Sequence, residues 1–255
     1  MGDIIEQFVL WKPIKITSAI IYALILLLLP FSSFWATILL FALICFWSRI
    51  PCLISMFTKD LEVIDFFTVM LAIHVGGVFG GIFGAAIMLF SRIFGPNEWY
   101  LYTIKDAIAI LVGGLLSPLL FMMLGNPLYT MYCFTLIRYA VYLLLTVVLE
   151  PEYLGLELGL CFSGIFIAYF SNTIMMKFFE EPLSKMLAEG VSFDVTLFLF
   201  ATSVVGFYYI ASRVARWFET RRMRKVEEGI EPEKKPPFYM LDAEAKPMPL
   251  FVKTN

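Results

Sequence analysis

Charged and metal-binding side chains are scarce in this sequence. Charged residues make up 16% of the 255 residues, whereas soluble proteins contain about 25%, and the segment 16–47 contains none. His74 is the single histidine, which excludes a multi-histidine metal or haem site, and the four cysteines lack zinc-ligand spacing. We therefore expect no cofactor and no bound metal. The net charge of −2 gives no indication of a nucleic-acid partner.

The residue patterns of common enzymes are also missing. The chain has no Ser-His-Asp grouping and no paired carboxylates beside a suitable base. The glycine-rich segment 76–86, GGVFGGIFGAA, is not a phosphate loop, because no Gly-Lys-Ser/Thr follows it. The first residues, MGDIIEQFVLWKP, lack the basic region and cleavage site of a signal peptide, so we expect the first apolar helix to remain as an anchor. Nothing specific favours an enzyme.

Apolar residues dominate the composition. They make up 60% of the chain, and the mean hydropathy is +0.84. This composition predicts an all-α fold, a polytopic transmembrane helical bundle. Most of the charge is at the C-terminal end, where residues 213–255 contain 10 basic and 7 acidic side chains. We therefore divide the chain into a transmembrane bundle, 1–212, and a charged, proline-rich cytoplasmic tail, 213–255.

Turn residues divide the apolar body into helices of about 20 residues, the length that crosses a bilayer. The predicted spans are 14–31, 33–47, 61–94, 104–124, 128–149, 158–176 and 193–212. The stretch 61–94 is longer than one span needs, and Gly76-Gly77 lies at its centre. The chain therefore has seven spans, or eight if this stretch is a broken pair. Residues 150–157 are predicted as an acidic loop and 178–190 as an amphipathic surface segment.

The basic residues predict the orientation, because cytoplasmic loops are enriched in Lys and Arg. Seven full spans with an inside N-terminus would leave 6 basic residues inside and 12 outside. If 61–94 enters and returns to the same side, the count becomes 16 inside and 2 outside. We therefore expect the broken pair, with both termini on the cytoplasmic side of the cell membrane.

The glycines of segment 76–86 recur with helical spacing. Gly76, Gly80 and Gly84 form one stripe, and Gly77 and Gly81 form the stripe beside it. Small residues at this spacing let two helix backbones approach closely in lipid. We expect a helix-packing face here; a hinge or the floor of a solute cavity is the alternative.

Arg138 lies near the middle of the 128–149 span, where a charge costs about 2.5–3.5 kcal/mol to insert. We expect its guanidinium to face the bundle and pair with a carboxylate from Asp106, Asp65 or Glu157. Asp106 is preferred, because its span directly precedes that of Arg138 across a short turn. The pair is either a structural lock or part of a functional site.

Two further ionisable residues complete the candidate intramembrane polar site, which comprises Arg138, Asp106, His74 and Asp65. Asp65 and Asp106 lie near the ends of their spans, so contact with lipid headgroups is their alternative role. His74, beside the glycine pair, is placed to cap broken-helix carbonyls or to line a cavity. An ordinary structural histidine is its other interpretation.

The middle of the chain resembles a known group of small membrane proteins. Residues 63–176 contain VMLAIHVGGVFGGIFGAAIMLF and then DAIAILVGGLLSPLLFMMLG. This stretch resembles the substrate-binding membrane components of energy-coupling-factor vitamin transporters and the related bacterial cell-shape membrane proteins. The resemblance implies a small prokaryotic helical bundle that works with partner subunits. Residues 19–23 match the small-residue coupling motif of that group poorly, and no binding residue is carried over.

Three functions are compatible with these features. The first is a solute-binding or permease-type transport component working with partner subunits, which predicts a water-accessible polar cavity around Arg138. The second is a non-transporting scaffold or assembly subunit, which predicts an apolar bundle with its glycine face covered by another protein. The third is a lipid-modifying enzyme, which predicts a polar cluster open at headgroup level. The expected partners are membrane lipid and other membrane subunits or further copies of this chain.

Overall fold

The structure, a computed structural model, describes residues 12–48, 63–93 and 100–189, together with the single positions 213, 217, 220 and 221. In these three ranges the chain forms only α-helices and one 3₁₀ turn, Pro151–Tyr153. The helices are α1 (Lys12–Leu28), α2 (Ser33–Trp47), α3 (Ile64–His74), α4 (Gly77–Ile93), α5 (Tyr100–Leu124), α6 (Pro127–Leu149) and α7 (Leu154–Glu189). The predicted all-α class is confirmed for these residues. The predicted span 193–212 lies outside them, as does the tail apart from the four single positions.

Helices α1 and α2, at the predicted spans 14–31 and 33–47, form a helical hairpin. The turn after Leu28 contains Pro30, and α2 begins at Ser33. The far ends are joined by the indole of Trp47, whose Nε1 donates a hydrogen bond to Ser18 Oγ at 3.1 Å. Apolar side chains such as Ile25 and Leu40 are buried between the two helices.

The stretch 61–94 is broken where the glycine pair predicted it. Helix α3 ends at His74, and α4 begins at Gly77. Between them Gly76 has a φ of 134°, a backbone conformation that residues with a side chain rarely adopt. The two helices then fold back on each other, since Gly80 of α4 lies against Ala72 of α3. Helix α3 is about 16 Å long at 1.5 Å per residue, too short to cross a bilayer core.

Helix α3 lies at the centre of the described bundle. Every residue from Ile64 to Ala72 is buried, and the helix packs against α2, α4, α5, α6 and α7. A helix that is apolar around its whole circumference is expected at such a position. Asp65 is the ionised exception, and it lies in the first turn, where the helix dipole favours an anion.

Helices α5, α6 and α7 pack in sequence as antiparallel neighbours and are the long apolar elements. The helical stretches 101–124, 127–149 and 151–187 each contain an apolar segment long enough to cross a membrane, by length and composition. The turn between α5 and α6 ends at Asn126, whose side chain accepts hydrogen bonds from the backbone N–H groups of Leu128 and Tyr129. Asn126 therefore fixes the start of α6 and the position of Arg138 along it.

Two predicted boundaries in the last described segment are wrong. Residues 158–176 and 178–190 were expected as a span and a separate surface segment, but α7 runs without interruption from Leu154 to Glu189. The polar residues after 176 are good helix formers, and Lys185 pairs with Glu181 one turn away at 2.7 Å. The fall in hydropathy therefore does not mark the end of the helix.

Candidate functional site: two buried ion clusters along helix α6

One face of α6 carries a polar side chain at every fourth residue. Arg138, Tyr142, Thr146 and the capping residue Glu150 follow one another at this spacing, which places them on one side of the helix. All four are buried. The ridge extends about 18 Å, from the middle of α6 to its end, at 1.5 Å per residue. We call it, with the side chains that bind to it, the polar column.

The first cluster in the column is centred on Arg138. Its Nη1 donates to Asp65 Oδ2 at 2.6 Å, and its Nη2 and Nε donate to Asp106 Oδ1 at 3.0 and 3.3 Å. The guanidinium is 2% exposed, so these contacts lie in a low-dielectric interior. Arg138 therefore joins α6 to α3 and α5.

The predicted contact between Arg138 and Asp106 is present, and Asp65 adds a second carboxylate. The alternative role of the two aspartates at the headgroup level is wrong, because both side chains are buried. Their positions near helix ends misled the prediction: α3 starts inside the bundle rather than at its surface. Arginine keeps its proton in almost any environment, so carboxylates from neighbouring helices are what allow its burial.

The second cluster is centred on Lys105, whose Nζ donates to Glu150 Oε2 at 2.6 Å and to Thr146 Oγ1 at 3.1 Å. Glu157 Oε1 lies 3.6 Å from the same nitrogen and accepts a hydrogen bond of 2.9 Å from the Tyr142 hydroxyl. Lys105 and Glu157 are both 0% exposed. These residues thus form a closed ionic cluster where α5, α6 and α7 meet.

Aromatic rings enclose Lys105 and connect the two clusters. The ammonium lies 4.5 Å from the centroid of the Tyr102 ring and 4.9 Å from that of Tyr142, within the range of cation–π attraction. Tyr142 is one turn from Arg138 on α6, and Lys105 precedes Asp106 on α5. The polar column is therefore continuous from Arg138 to Glu150.

The sequence prediction missed this second cluster. Lys105 was counted among the cytoplasmic surface charges, and 150–157 was predicted as an exposed acidic loop. In the structure Glu150 is the C-cap of α6 and Glu157 lies in the first turn of α7. The four-residue spacing of the polar ridge on α6 was the available signal, because polar residues repeating on one face of an apolar helix indicate a buried polar partner.

His74 lies apart from both clusters. Its Nε2 is 3.0 Å from Ser184 Oγ of α7, and the imidazole is exposed. It therefore joins the end of α3 to α7 beside the α3–α4 break. The structure does not bring His74 together with Arg138, so the four-residue candidate site is reduced to Arg138, Asp65 and Asp106.

The predicted glycine face is divided between two helices of this chain. A Cβ on Gly80 would lie 2.5 Å from the backbone nitrogen of Ala72 in α3, and one on Gly84 would overlap Thr68. A Cβ on Gly77 or Gly81 would instead lie 2.7 or 2.8 Å from a carbonyl oxygen of α5. Close packing is therefore present, with partners from the same chain. Gly76 is the exception, because it forms the break and faces open space.

The described residues also form an apolar cavity of about 460 Å³ beside the α3–α4 break. Its lining includes Val75, Phe79 and Ile82, and it contains no ionisable side chain. The transport hypothesis predicted a polar cavity at Arg138 instead, and Arg138 is enclosed. Within the described ranges no group of three or more His, Cys, Asp and Glu is arranged to hold a metal ion.

Comparison of the chain with protein-family models, with curated proteins and with solved structures gives no match. The chemistry of the polar column is therefore the basis for assigning a function.

Proposed function

We propose that the chain is a multi-pass membrane transport component in which the polar column carries a small ion. The observation that supports this proposal is the continuous burial of polar side chains along one face of α6, from Arg138 to Glu150, with ionised groups at both ends. Ionisable groups inside apolar spans are costly, and where they occur they commonly mark ion pathways and proton relays. Both clusters lie on α5 and α6, two of the helices long enough to cross a membrane.

Geometry favours a small ion over a large solute at this position. Arg138 is held by two carboxylates, and Lys105 is enclosed by two carboxylates and two aromatic rings. A bulky solute would have to displace these contacts, whereas an ion that binds to a carboxylate oxygen would not. A vitamin-type solute, as the family resemblance implies, would bind elsewhere in the bundle or with a partner subunit.

Purified chain in liposomes tests the proposal without knowledge of a larger substrate. A potassium gradient and valinomycin set an inside-negative potential, and a trapped dye reports the internal pH. We expect protein-dependent acidification that Asp106→Asn reduces at least tenfold. Glu181→Gln, which alters an exposed pair on α7, is the matched control and should behave as the parent does.

The same assay distinguishes sodium from protons as the transported ion, and it can reject the proposal. A flux that requires external sodium and leaves the internal pH constant would assign the column to sodium. Equal ion movement in empty and protein-containing liposomes, for both sodium and protons, would reject transport by this chain.

A scaffold function is the second candidate, and the surface of α7 is the observation that favours it. Phe162, Phe166 and Phe170 recur at four-residue spacing and are all exposed, which gives an aromatic ridge on one face. Lipid covers such a ridge in a monomer, and a second membrane subunit covers it in a complex. Chemical cross-linking from cysteines at 162 and 166 in native membranes distinguishes the two. A lipid-modifying enzyme is not favoured, because the charged residues at the start of α5 and α7 are enclosed.

A further inference from the structure

We propose that Glu157 reversibly binds a proton and is the proton-carrying group of the polar column. Its use in transport rests on the proposed function above, but the binding itself does not. The inference comes from the geometry of the Lys105 cluster and from its charges, one ammonium against two carboxylates.

Lys105 neutralises one carboxylate well and the other poorly. Its Nζ is 2.6 Å from Glu150 Oε2 but 3.6 Å from Glu157 Oε1, which is beyond hydrogen-bond length. With both glutamates ionised the cluster carries a net charge of −1. A structural lock between α5 and α6 needs only the Lys105–Glu150 pair, so Glu157 is the surplus carboxylate.

The second oxygen of Glu157 supplies an independent observation. Oε2 is buried and has no hydrogen-bond partner within 3.5 Å among the described residues, and the side chain is 0% exposed. A buried acceptor left unsatisfied costs about 1–3 kcal/mol, and more when it is charged. Protonation at Oε2 removes the negative charge from a carboxylate whose hydrogen bond from Tyr142 and contact with Lys105 are both made by Oε1.

Titratable and charged groups of three helices surround Glu157. The Lys105 ammonium and the Tyr142 hydroxyl contact its Oε1, and the Tyr102 hydroxyl donates a hydrogen bond to the same carboxylate. Glu150, the C-cap of α6, shares the Lys105 ammonium, and Cys161 follows one turn later on α7. In the protonation step a hydronium ion loses one O–H bond and Glu157 gains one, water is released, and the cluster charge changes from −1 to zero.

Infrared spectroscopy of the full chain in lipid nanodiscs tests the assignment. A protonated buried carboxylic acid gives a carbonyl stretch that is separate from the amide bands and shifts in deuterium oxide. We expect such a band to rise and fall reversibly with pH in the parent. It should be lost in Glu157→Gln and retained in Glu181→Gln.

The unfolding temperature of the Glu157→Gln variant is a second test. Glutamine has nearly the shape of protonated glutamate, so Glu157→Gln should unfold at the parent's temperature in nanodiscs at a pH where the band is present. A variant that fails to fold would show that the anion is structural and would overturn the proposal. A pH-dependent band that persists in Glu157→Gln would overturn it as well.

The liposome assay then separates this inference from the proposed function. A Glu157 band without proton movement would leave the binding site standing and reject transport. Proton movement that is undiminished in Glu157→Gln would leave transport standing and reject Glu157 as the carrier.

Discussion

Arg138 is a permanent cation in the middle of an apolar helix, and its stability depends on the two aspartates it contacts. Asp65 and Asp106 come from different helices and approach opposite parts of the guanidinium. Breaking a buried pair by removing one partner leaves an uncompensated charge, which costs about 3–5 kcal/mol. Any substitution of Arg138 that is made to test its function therefore also lowers stability.

We expect Arg138→Ala to lower the free energy of unfolding by about 3–5 kcal/mol, because two buried aspartates lose their cation. Adding Asp106→Ala should recover part of the loss, and adding Asp65→Asn as well should recover more. Denaturant titration in detergent measures the series. Lys185→Ala is the control, since its pair with Glu181 is exposed and such pairs contribute little to stability. Equal effects of Arg138→Ala and Lys185→Ala would contradict the buried cluster.

Lys105 permits a second charge experiment. Lys105→Met keeps an unbranched apolar side chain of nearly the same length but removes the ammonium. Glu150 and Glu157 are then buried without their cation, so we expect a large fall in unfolding temperature. Adding Glu157→Gln should restore part of it by removing one carboxylate. Lys177→Met, at an exposed position on α7, is the control and should have little effect. No rescue by Glu157→Gln would show that the two glutamates do not interact.

At the scale of helices, α3 and α4 approach each other closely, and glycine makes this possible. Replacing Gly80 even by alanine would place a methyl group 2.5 Å from backbone atoms of α3, which cannot move as a side chain can. We expect Gly80→Ala to destabilise the fold by about 1–3 kcal/mol, as overpacking does, and Gly80→Leu to prevent folding. Gly159→Ala on α7 meets open space and should be neutral or stabilising. Thermal unfolding compares the variants, and similar effects at 80 and 159 would refute the packing.

Gly76 is required for a different reason from Gly80. No atom of the described residues lies within 4 Å of a Cβ there, so in this part of the chain a substitution is penalised only by the backbone φ of 134°. We expect Gly76→Ala to lower the free energy of unfolding by about 1–3 kcal/mol. A larger side chain should lower it by little more, because there is room for it. Gly76→Ala and Gly76→Leu should therefore unfold at similar temperatures, whereas the same two changes at Gly80 should differ strongly. A large difference at Gly76 would indicate an undetected close contact.

For the whole molecule, orientation in the membrane remains a prediction, and it concerns positions outside the described residues. The distribution of basic residues, 16 against 2, requires residues 97 and 240 to lie on the cytoplasmic side. We expect Asn97→Cys and Met240→Cys, each introduced into a cysteine-free chain, to react with an impermeant thiol reagent only after the cells are opened. Labelling of either position in intact cells would refute this arrangement.

Sequence patterns revealed the parts of the fold that depend on local chemistry. The turns after spans 14–31 and 104–124 were predicted within three residues of the observed helix ends, and the glycine pair located the break between α3 and α4. Partner choice was harder to predict, because it depends on which helices become neighbours. Asp106 was found through adjacency along the chain, whereas Asp65 reaches Arg138 only because the short helix α3 is central. Lys105 was missed because it was counted with the basic residues that mark the cytoplasmic surface.

Lys105 and Asp106 are consecutive on α5, yet they bind opposite charges in two separate clusters on α6. Rotation of α5 about its axis, or sliding along α6, would separate both sets of contacts at once. The two clusters therefore fix both the rotation and the register of α5 against α6. Arg138 also binds Asp65 in the first turn of α3, so the same cluster ties the α3–α4 hairpin to this pair.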